Sequence, residues 1–426
     1  MIIFVGLGRY ILGEARFCQG KSAIFSAHVD PLAPVEELTA QRKRRFRSNY
    51  ASLRGKFGLT YQVIYDILPQ IFLALHGAYL IQESKSNTVG TKSTVGAEGD
   101  RKIPLLQGAN DPFSFVGDEL KLVEANLVRA IRSREQQLTD ISGHLIYSGG
   151  KRVRPMVTLL AYAAFGGKRV ADIVDIATAI ELIHTATLLH DDIIDGADTR
   201  RGKASAYKKF GLKSTLVAGD FLFIKAFEFA GKFDETVVQW TADACTLLTE
   251  GEILQGHFNR NRSVTLDDYV EIVKRKTASL FHTGAKVGAY LAGANTALID
   301  ETERYGLHMG IAFQMVDDVL DVVGHPDLLG KPTGMDLRDG NPALPIILAM
   351  KNGDATVCDA FDCPTPTEAQ VAAALNSIKN GPAIEEAKVL AKRYAQEALK
   401  SIKKLPPSLY RNGLKTLVQL IIDRDF

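Results

Sequence analysis

From residue 111 to the C-terminus, apolar residues recur three and four positions apart, segment after segment. The stretches 113–131, 172–189, 237–254 and 298–322 all carry this period, which places apolar side chains on one face of an α-helix. Strand-like alternation is scarce. The period therefore predicts one all-α domain over residues 111–426. Gly149-Gly150, Gly166-Gly167, Gly211 and the Gly/Pro pairs at 324–326 and 340–342 punctuate it as helix breaks. Stretch 172–189 is apolar almost all round, so its helix belongs at the centre of the core. Hydrophobic residues make up 46% of the 426-residue chain, which is enough to build such a core and excludes a disordered chain.

Residues 1–110 read differently. They carry 14 Lys/Arg against 8 Asp/Glu, although the whole chain has a net charge of only +2. The excess lies in Arg42-Lys43-Arg44-Arg45-Phe46-Arg47, which we read as a solvated run, with no nucleic-acid partner expected. The apolar stretch 57–82 is interrupted by Asp66, Pro69, Gln70 and His76. A surface-packed or interfacial helix fits it better than a membrane span, so membrane association is expected to be peripheral at most. The polar Ser/Thr/Gly-rich stretch from 83 reads as a linker to the domain, ending near 110. Residues 1–110 thus form an N-terminal extension of unknown role. The cytoplasm is the expected compartment; a plastid or mitochondrion is the alternative if residues 1–30 act as a transit peptide, whose shortage of acids they share. Cys18, Cys245, Cys358 and Cys363 form no CxxC pair and no zinc spacing, and we read them as idle reduced thiols.

The chemistry lies in two Asp-Asp-x-x-Asp clusters: Asp191, Asp192 and Asp195, then Asp317, Asp318 and Asp321. On a helix, residues i and i+4 lie one turn apart on one face, so Asp191 pairs with Asp195 and Asp317 with Asp321. Like charges so placed need a compensating cation, and each cluster follows an apolar helix where a bare carboxylate is costly. Oxygen-only ligands suit a hard cation such as Mg²⁺, which takes one or two carboxylates and completes its shell with phosphate and water. A third acidic group, Asp267-Asp268 with Glu271, follows a polar stretch and reads as a helix start capped by Thr265. Basic residues sit where a diphosphate needs them, at Lys151-Arg152-Val153-Arg154, Arg200-Arg201, Lys276 and Lys331. His184 lies two helical turns before Asp191 on the same face.

In order along the chain, GGKRxRP, LLHDDxxD…DTRRG, EGEILQ, KTASLF, FQxxDDxxD and GKPxGxDL resemble the motifs of trans-polyprenyl diphosphate synthases, most closely the long-chain members. The resemblance covers 111–426. It implies the isoprenoid-synthase fold, a helical bundle around a deep cavity, and condensation of isopentenyl diphosphate with an allylic prenyl diphosphate. It also implies two to three Mg²⁺ per site and a homodimer. By the same resemblance, Asp191 and Asp195 bind Mg²⁺ at the allylic diphosphate with Asp192 in support. Asp317 binds a further Mg²⁺ with Asp318 and Asp321 nearby. Arg200, Lys276, Thr277, Gln314 and Lys331 contact the allylic diphosphate. Lys151, Arg154, His184 and Arg201 hold isopentenyl diphosphate. The chain has Gly340-Asn341-Pro342 where many members have Gly-Lys, so no diphosphate contact is assigned at position 341. Glu250 and Glu252 are read as supporting the fold or the cavity wall.

Chain length turns on Ala186 and Thr187, just before Asp191. Shorter-product relatives tend to carry aromatics there, and small residues leave a tunnel open. Phe223 and Phe227 are candidate floor residues, with core packing as their other reading. We expect a hepta- to decaprenyl product of the kind used for quinone side chains; a geranylgeranyl product is the alternative. A terpene cyclase would not need GGKRVRP or Arg201, and a non-catalytic subunit would not keep both aspartate clusters.

Overall fold

The computed structural model describes residues 112–324 and 333–423. The basic run, the apolar stretch 57–82, the linker, Cys18 and Lys331 lie outside the described residues. The first helices are α1 (Pro112–Phe115), α2 (Gly117–Ala130), α3 (Gln136–Ile146), α4 (Val153–Ala164) and α5 (Val170–Ile194). A small antiparallel hairpin, β1 (Thr199–Arg200) and β2 (Lys203–Ala204), leads to α6 (Ala206–Phe210), α7 (Leu212–Ala230) and α8 (Glu235–His257). Next come α9 (Leu266–Val273), a π-helical turn (Lys274–Ala278), α10 (Ser279–Leu291) and α11 (Thr296–Val323). The chain ends with α12 (Met335–Asp339), α13 (Leu344–Lys351), α14 (Ala355–Asp362), α15 (Glu368–Asn380), α16 (Ala383–Ile402) and α17 (Leu409–Ile422). The only strands among the described residues are those of the hairpin, and the fold is all-α.

α5 is the central helix. Its residues are buried on every side, Ile176, Ile180, Leu182, Ile183, Ala186 and Leu189 among them. Each fully buried Leu or Ile contributes roughly 1.5–3 kcal/mol. By length and composition α5 could cross a membrane, but most of it is enclosed by the domain. α7 packs along it, with α2 and α4 alongside, and α11 forms the second axis between α10 and α16. The sequence period thus places α2, α5, α8 and α11. The acidic group at 267–268 starts α9: Thr265 and Asp268 form a reciprocal capping box. Cys245, Cys358 and Cys363 are free thiols, and burial pushes Cys245 up to about 12, so it is inert.

Close approach fixes the short elements that matter for the site. A Cβ on Gly251 of α8 would lie 2.7 Å from the Lys276 amide nitrogen, and one on Gly310 of α11 would lie 2.7 Å from Ala278 Cα. Glycines on both sides thus let two helices clasp the π-helical turn. π-turns are uncommon and concentrate at functional sites.

Candidate active site

Both aspartate clusters fall in the last turns of helices, α5 and α11. The helix dipole leaves negative charge at a C-terminus, so six carboxylates there call for cations. The fold brings them. Asp191 and Asp195 line one cavity of about 530 Å³, together with Arg154, His184, Arg200, Lys276, Thr277, Gln314 and Asp317. α5, the hairpin, the π-turn and α11 each supply part of this polar end. The remaining wall is formed largely by Thr187, Leu188, Phe223, Leu248, Thr249 and Ile253. A second, smaller cavity of about 150 Å³ shares Asp195, Lys276, Thr277 and Gln314 with it, and adds Gln255, Tyr269, Asp318, Asp336 and Asn341.

Around the first cluster the carboxylates are hard to charge. Burial, with Glu252 and Asp195 close by, pushes Asp191 up to about 7 against the pull of Lys276. Burial also raises Asp192 and Asp195. Arg200 is committed to Asp192, its Nε donating to Oδ1 at 2.7 Å, while the buried Asp192 Oδ2 has no hydrogen-bond partner. Lys276 pairs with Glu252 at 2.5 Å. Glu252 therefore borders the cavity, whereas Glu250 lies at the surface, 3.9 Å from Arg275. Asp191 and Asp195, two cavity-lining carboxylates whose affinity for a proton burial raises, are the number and kind of ligand that a hard divalent cation takes from a protein. Among the described residues no three His, Cys, Asp or Glu side chains converge as a complete ligand set, which suits an ion that takes most of its ligands from phosphate and water.

In the second cluster the three residues part company. Asp317 faces the large cavity. Asp318 is buried, and its oxygens accept from the Tyr269 hydroxyl at 2.7 Å, the Leu344 amide at 3.0 Å and the Gln314 amide nitrogen at 2.8 Å. Gln314 Oε1 in turn accepts from the Thr277 hydroxyl at 2.8 Å. Asp318 thus joins α9, α11, α13 and the π-turn. Asp321 is buried, accepts from the Asp336 amide, and lines neither cavity. The i, i+4 rule places Asp317 and Asp321 on one face, but the returning chain at 334–336 closes over the second of them.

The other cations group near α4. Arg154 Nη1 lies 3.3 Å from His184 Nε2, and its guanidinium sits 4.7 Å from the Phe281 ring centre. Burial and the Arg154, Arg201, Arg152 and Arg200 charges hold the His184 imidazole well below its usual range. It is neutral, its Nε2 accepts from Arg154, and Nδ1 carries the proton. Arg201 donates to the Gly149 and Leu145 carbonyls. Lys151 is exposed, next to Gly150. Arg201 and Lys151 are not among the cavity-lining residues.

Of the chain-length candidates, Thr187 and Phe223 line the large cavity; Ala186 and Phe227 do not. Ala186 is fully buried in the core, while α5 lines the cavity with His184, Thr187, Leu188, His190, Asp191, Ile194 and Asp195. The i+4 spacing groups Phe227 with Phe223, but the cavity wall includes only Phe223. Sequence reading missed Tyr269, Gln255 and Asp336, which frame the smaller cavity. For Asp336 the signal was present in the GKPxGxDL motif.

This geometry defines a class: an all-α isoprenoid-synthase-type enzyme in which Asp191, Asp195 and Asp317 from the two acid clusters line one cavity with Arg154, Arg200 and Lys276. The family profile of polyprenyl synthetases matches residues 135–378. Heptaprenyl diphosphate synthase component 2 of Geobacillus stearothermophilus is 35% identical over 74% of this chain and 98% of its own length. Octaprenyl diphosphate synthase of Haemophilus influenzae is 33% identical over 76% of this chain and 98% of its own. The crystal structure of a polyprenyl synthase from Caulobacter crescentus, complexed with calcium and isoprenyl diphosphate, superimposes with a TM-score of 0.71 at 32% identity, over 74% of this chain and 97% of that one. The chain belongs to the polyprenyl synthetase family and is a prenyltransferase of the trans-polyprenyl diphosphate synthase type, similar to the long-chain members.

Proposed function

We propose that this prenyltransferase adds isopentenyl diphosphate to an allylic prenyl diphosphate and builds a hepta- to decaprenyl chain. The observation that carries the proposal is the single cavity in which Asp191, Asp195 and Asp317 share a polar end with Arg154, Arg200 and Lys276, beside a wall of Thr187, Leu188, Leu248 and Ile253. The heptaprenyl and octaprenyl names of the two relatives support the long product. We assign Asp191, Asp195 and Asp317 as ligands of two to three Mg²⁺. When bound, such ions lower the cost of placing negative charge on the diphosphate leaving group.

Each protein group then has a role. Arg200, Lys276, Thr277 and Gln314 hold the allylic diphosphate, and Lys331 joins them in this assignment. Lys151, Arg154, His184 and Arg201 hold isopentenyl diphosphate. As the allylic C–O bond breaks, its electron pair leaves with the diphosphate, and the fixed cations stabilise that developing charge. The apolar wall keeps water from the allylic carbocation. The isopentenyl double bond forms the new C–C bond, and loss of a C2 proton to the departing diphosphate restores an alkene. No side-chain base is assigned.

We also propose a homodimer. Leu216, Val217 and Ile224 form an exposed apolar stripe on α7, which a second copy would cover. Purified protein should therefore show twice the 46.5 kDa chain mass by light scattering. The same preparation, given farnesyl diphosphate, isopentenyl diphosphate and Mg²⁺, should yield prenols of seven to ten isoprene units. A stop at geranylgeraniol would replace the long-chain product with the shorter one. No elongation by the protein alone would move the function to a heteromer, an arrangement suggested by the "component 2" name of the Geobacillus relative.

The acid end of the cavity gives a pH signature. Native Asp191 binds its proton more tightly than the unfolded chain does. The stability this confers is full below the unfolded value near 4 and is lost as pH rises through about 7. A cation held by the carboxylate offsets that loss. The Tm gain from millimolar Mg²⁺ over EDTA-treated protein should therefore grow from pH 6 to pH 8, and Asp191→Asn should flatten it. A gain independent of pH in the unsubstituted protein would count against Asp191 as a ligand.

A further inference from the structure

Two non-glycine residues with left-handed backbone meet at one glycine. Arg152 has φ 47° and Arg201 has φ 54°. A Cβ on Gly150 would lie 3.1 Å from Arg152 Nη1 and 3.2 Å from Arg201 Nη2. The backbone conformation costs each arginine about 1–2 kcal/mol, so something must hold it. For Arg152 the holder is visible. It is buried, with only 7% of its surface exposed. Its Nε and Nη2 donate to Glu124 of α2 at 2.5 and 3.2 Å, its Nη1 to Glu181 of α5 at 2.7 Å, and its Nη2 also to the Ile146 carbonyl at 3.3 Å. Four of its five N–H groups are thus engaged by protein. In sequence Arg152 is one of three cations after the Gly pair. In the structure it turns inward, while Lys151 on one side is exposed and Arg154 on the other enters the cavity beside His184.

We propose that Arg152, clamped by Glu181 and Glu124, is a positioning residue for the isopentenyl diphosphate cradle. Its left-handed turn aims Lys151 and Arg154 from opposite sides of one residue, and the ion pairs keep that turn formed before substrate binds. Glu181 has a second effect. It is a buried carboxylate, 3% exposed, one turn before His184 on α5. Its charge acts on both Arg154 and Arg201, and so relieves the mutual repulsion of the arginines while no diphosphate is present. A lysine cannot replace this fork, because it offers a point charge and no planar pair of donors.

The inference rests on the reading that Lys151 and Arg154 hold isopentenyl diphosphate, and the test separates the two claims. Steady-state kinetics are measured with each substrate varied in turn for Arg152→Lys, Glu124→Gln and Lys151→Ala, with Tm recorded for each. Arg152→Lys should raise KM for isopentenyl diphosphate about 10-fold or more, with KM for the allylic substrate within about 2-fold. Glu124→Gln removes the half-exposed side of the clamp; it should shift the same KM in the same direction by less and stay folded if Arg152→Lys does not. If Lys151→Ala raises KM for isopentenyl diphosphate but folded Arg152→Lys or Glu124→Gln moves both KM values together, or neither, the positioning role is overturned and the cradle stands. If Lys151→Ala leaves that KM unchanged, the cradle itself is wrong and the inference falls with it.

Discussion

Asp191→Asn is expected to lower kcat by about 10³-fold or more without destabilising the fold. Asp191 lies in the last turn of the central, largely buried helix α5, at a dipole terminus that disfavours anions, beside Asp195 and Glu252. Burial that lifts its carboxyl to about 7 is a standing cost to the metal-free protein at pH 8. Asparagine keeps the shape and removes the charge. Lys276 is not orphaned by the change, since it remains 2.5 Å from Glu252. The Tm at pH 8 in EDTA should therefore stay level or rise by up to about 4 °C. Lost activity with undiminished stability is the mark of a group kept for chemistry. A folded Asp191→Asn enzyme with more than about a tenth of the parent kcat would remove Asp191 from the machinery. A sharp fall in Tm would instead make the cluster structural.

Helical period alone placed α2, α5, α8 and α11, because burial on one face or all round is a local pattern. It also put His184, Asp191 and Asp195 on one wall, where the cavity has them. What it could not carry were contacts made by chain far away in sequence. Asp321 shares a helical face with Asp317, yet the Asp336 amide from the next segment covers it. Asp318 accepts from Tyr269 and Leu344, 49 and 26 residues away. Lys276 and Thr277 reach the cavity from a π-helical turn, which a 3.6-residue period does not describe. Arg152 and Arg154 look equivalent in KRVR, but left-handed backbone at Arg152 sends one into the protein and the other into the cavity. Local spacing finds the candidate groups here, and long-range packing decides which of them line the cavity.

The second large effect concerns product length, and it tests where the cavity wall runs. Thr187 lies one turn, about 6 Å, before Asp191 along α5, and its side chain lines the cavity. Phe223 of α7 lines the same cavity and stacks near His190 with ring centres 6.0 Å apart. In the proposed assignment a growing chain that starts at Asp191 runs back along α5 past Thr187. Thr187→Phe puts a ring into that path and should shorten the main product by about two or more isoprene units, with the first condensation slowed less than about 3-fold. Phe223→Leu should act in the opposite direction if Phe223 is the floor, lengthening the product by about one unit. The pair is informative because the two changes oppose each other within one cavity. If Thr187→Phe leaves the product distribution as it was, the chain does not run along α5. If Thr187→Phe shortens the product and Phe223→Leu changes nothing, the chain follows α5 but ends beyond Phe223, and the aromatic is core packing after all.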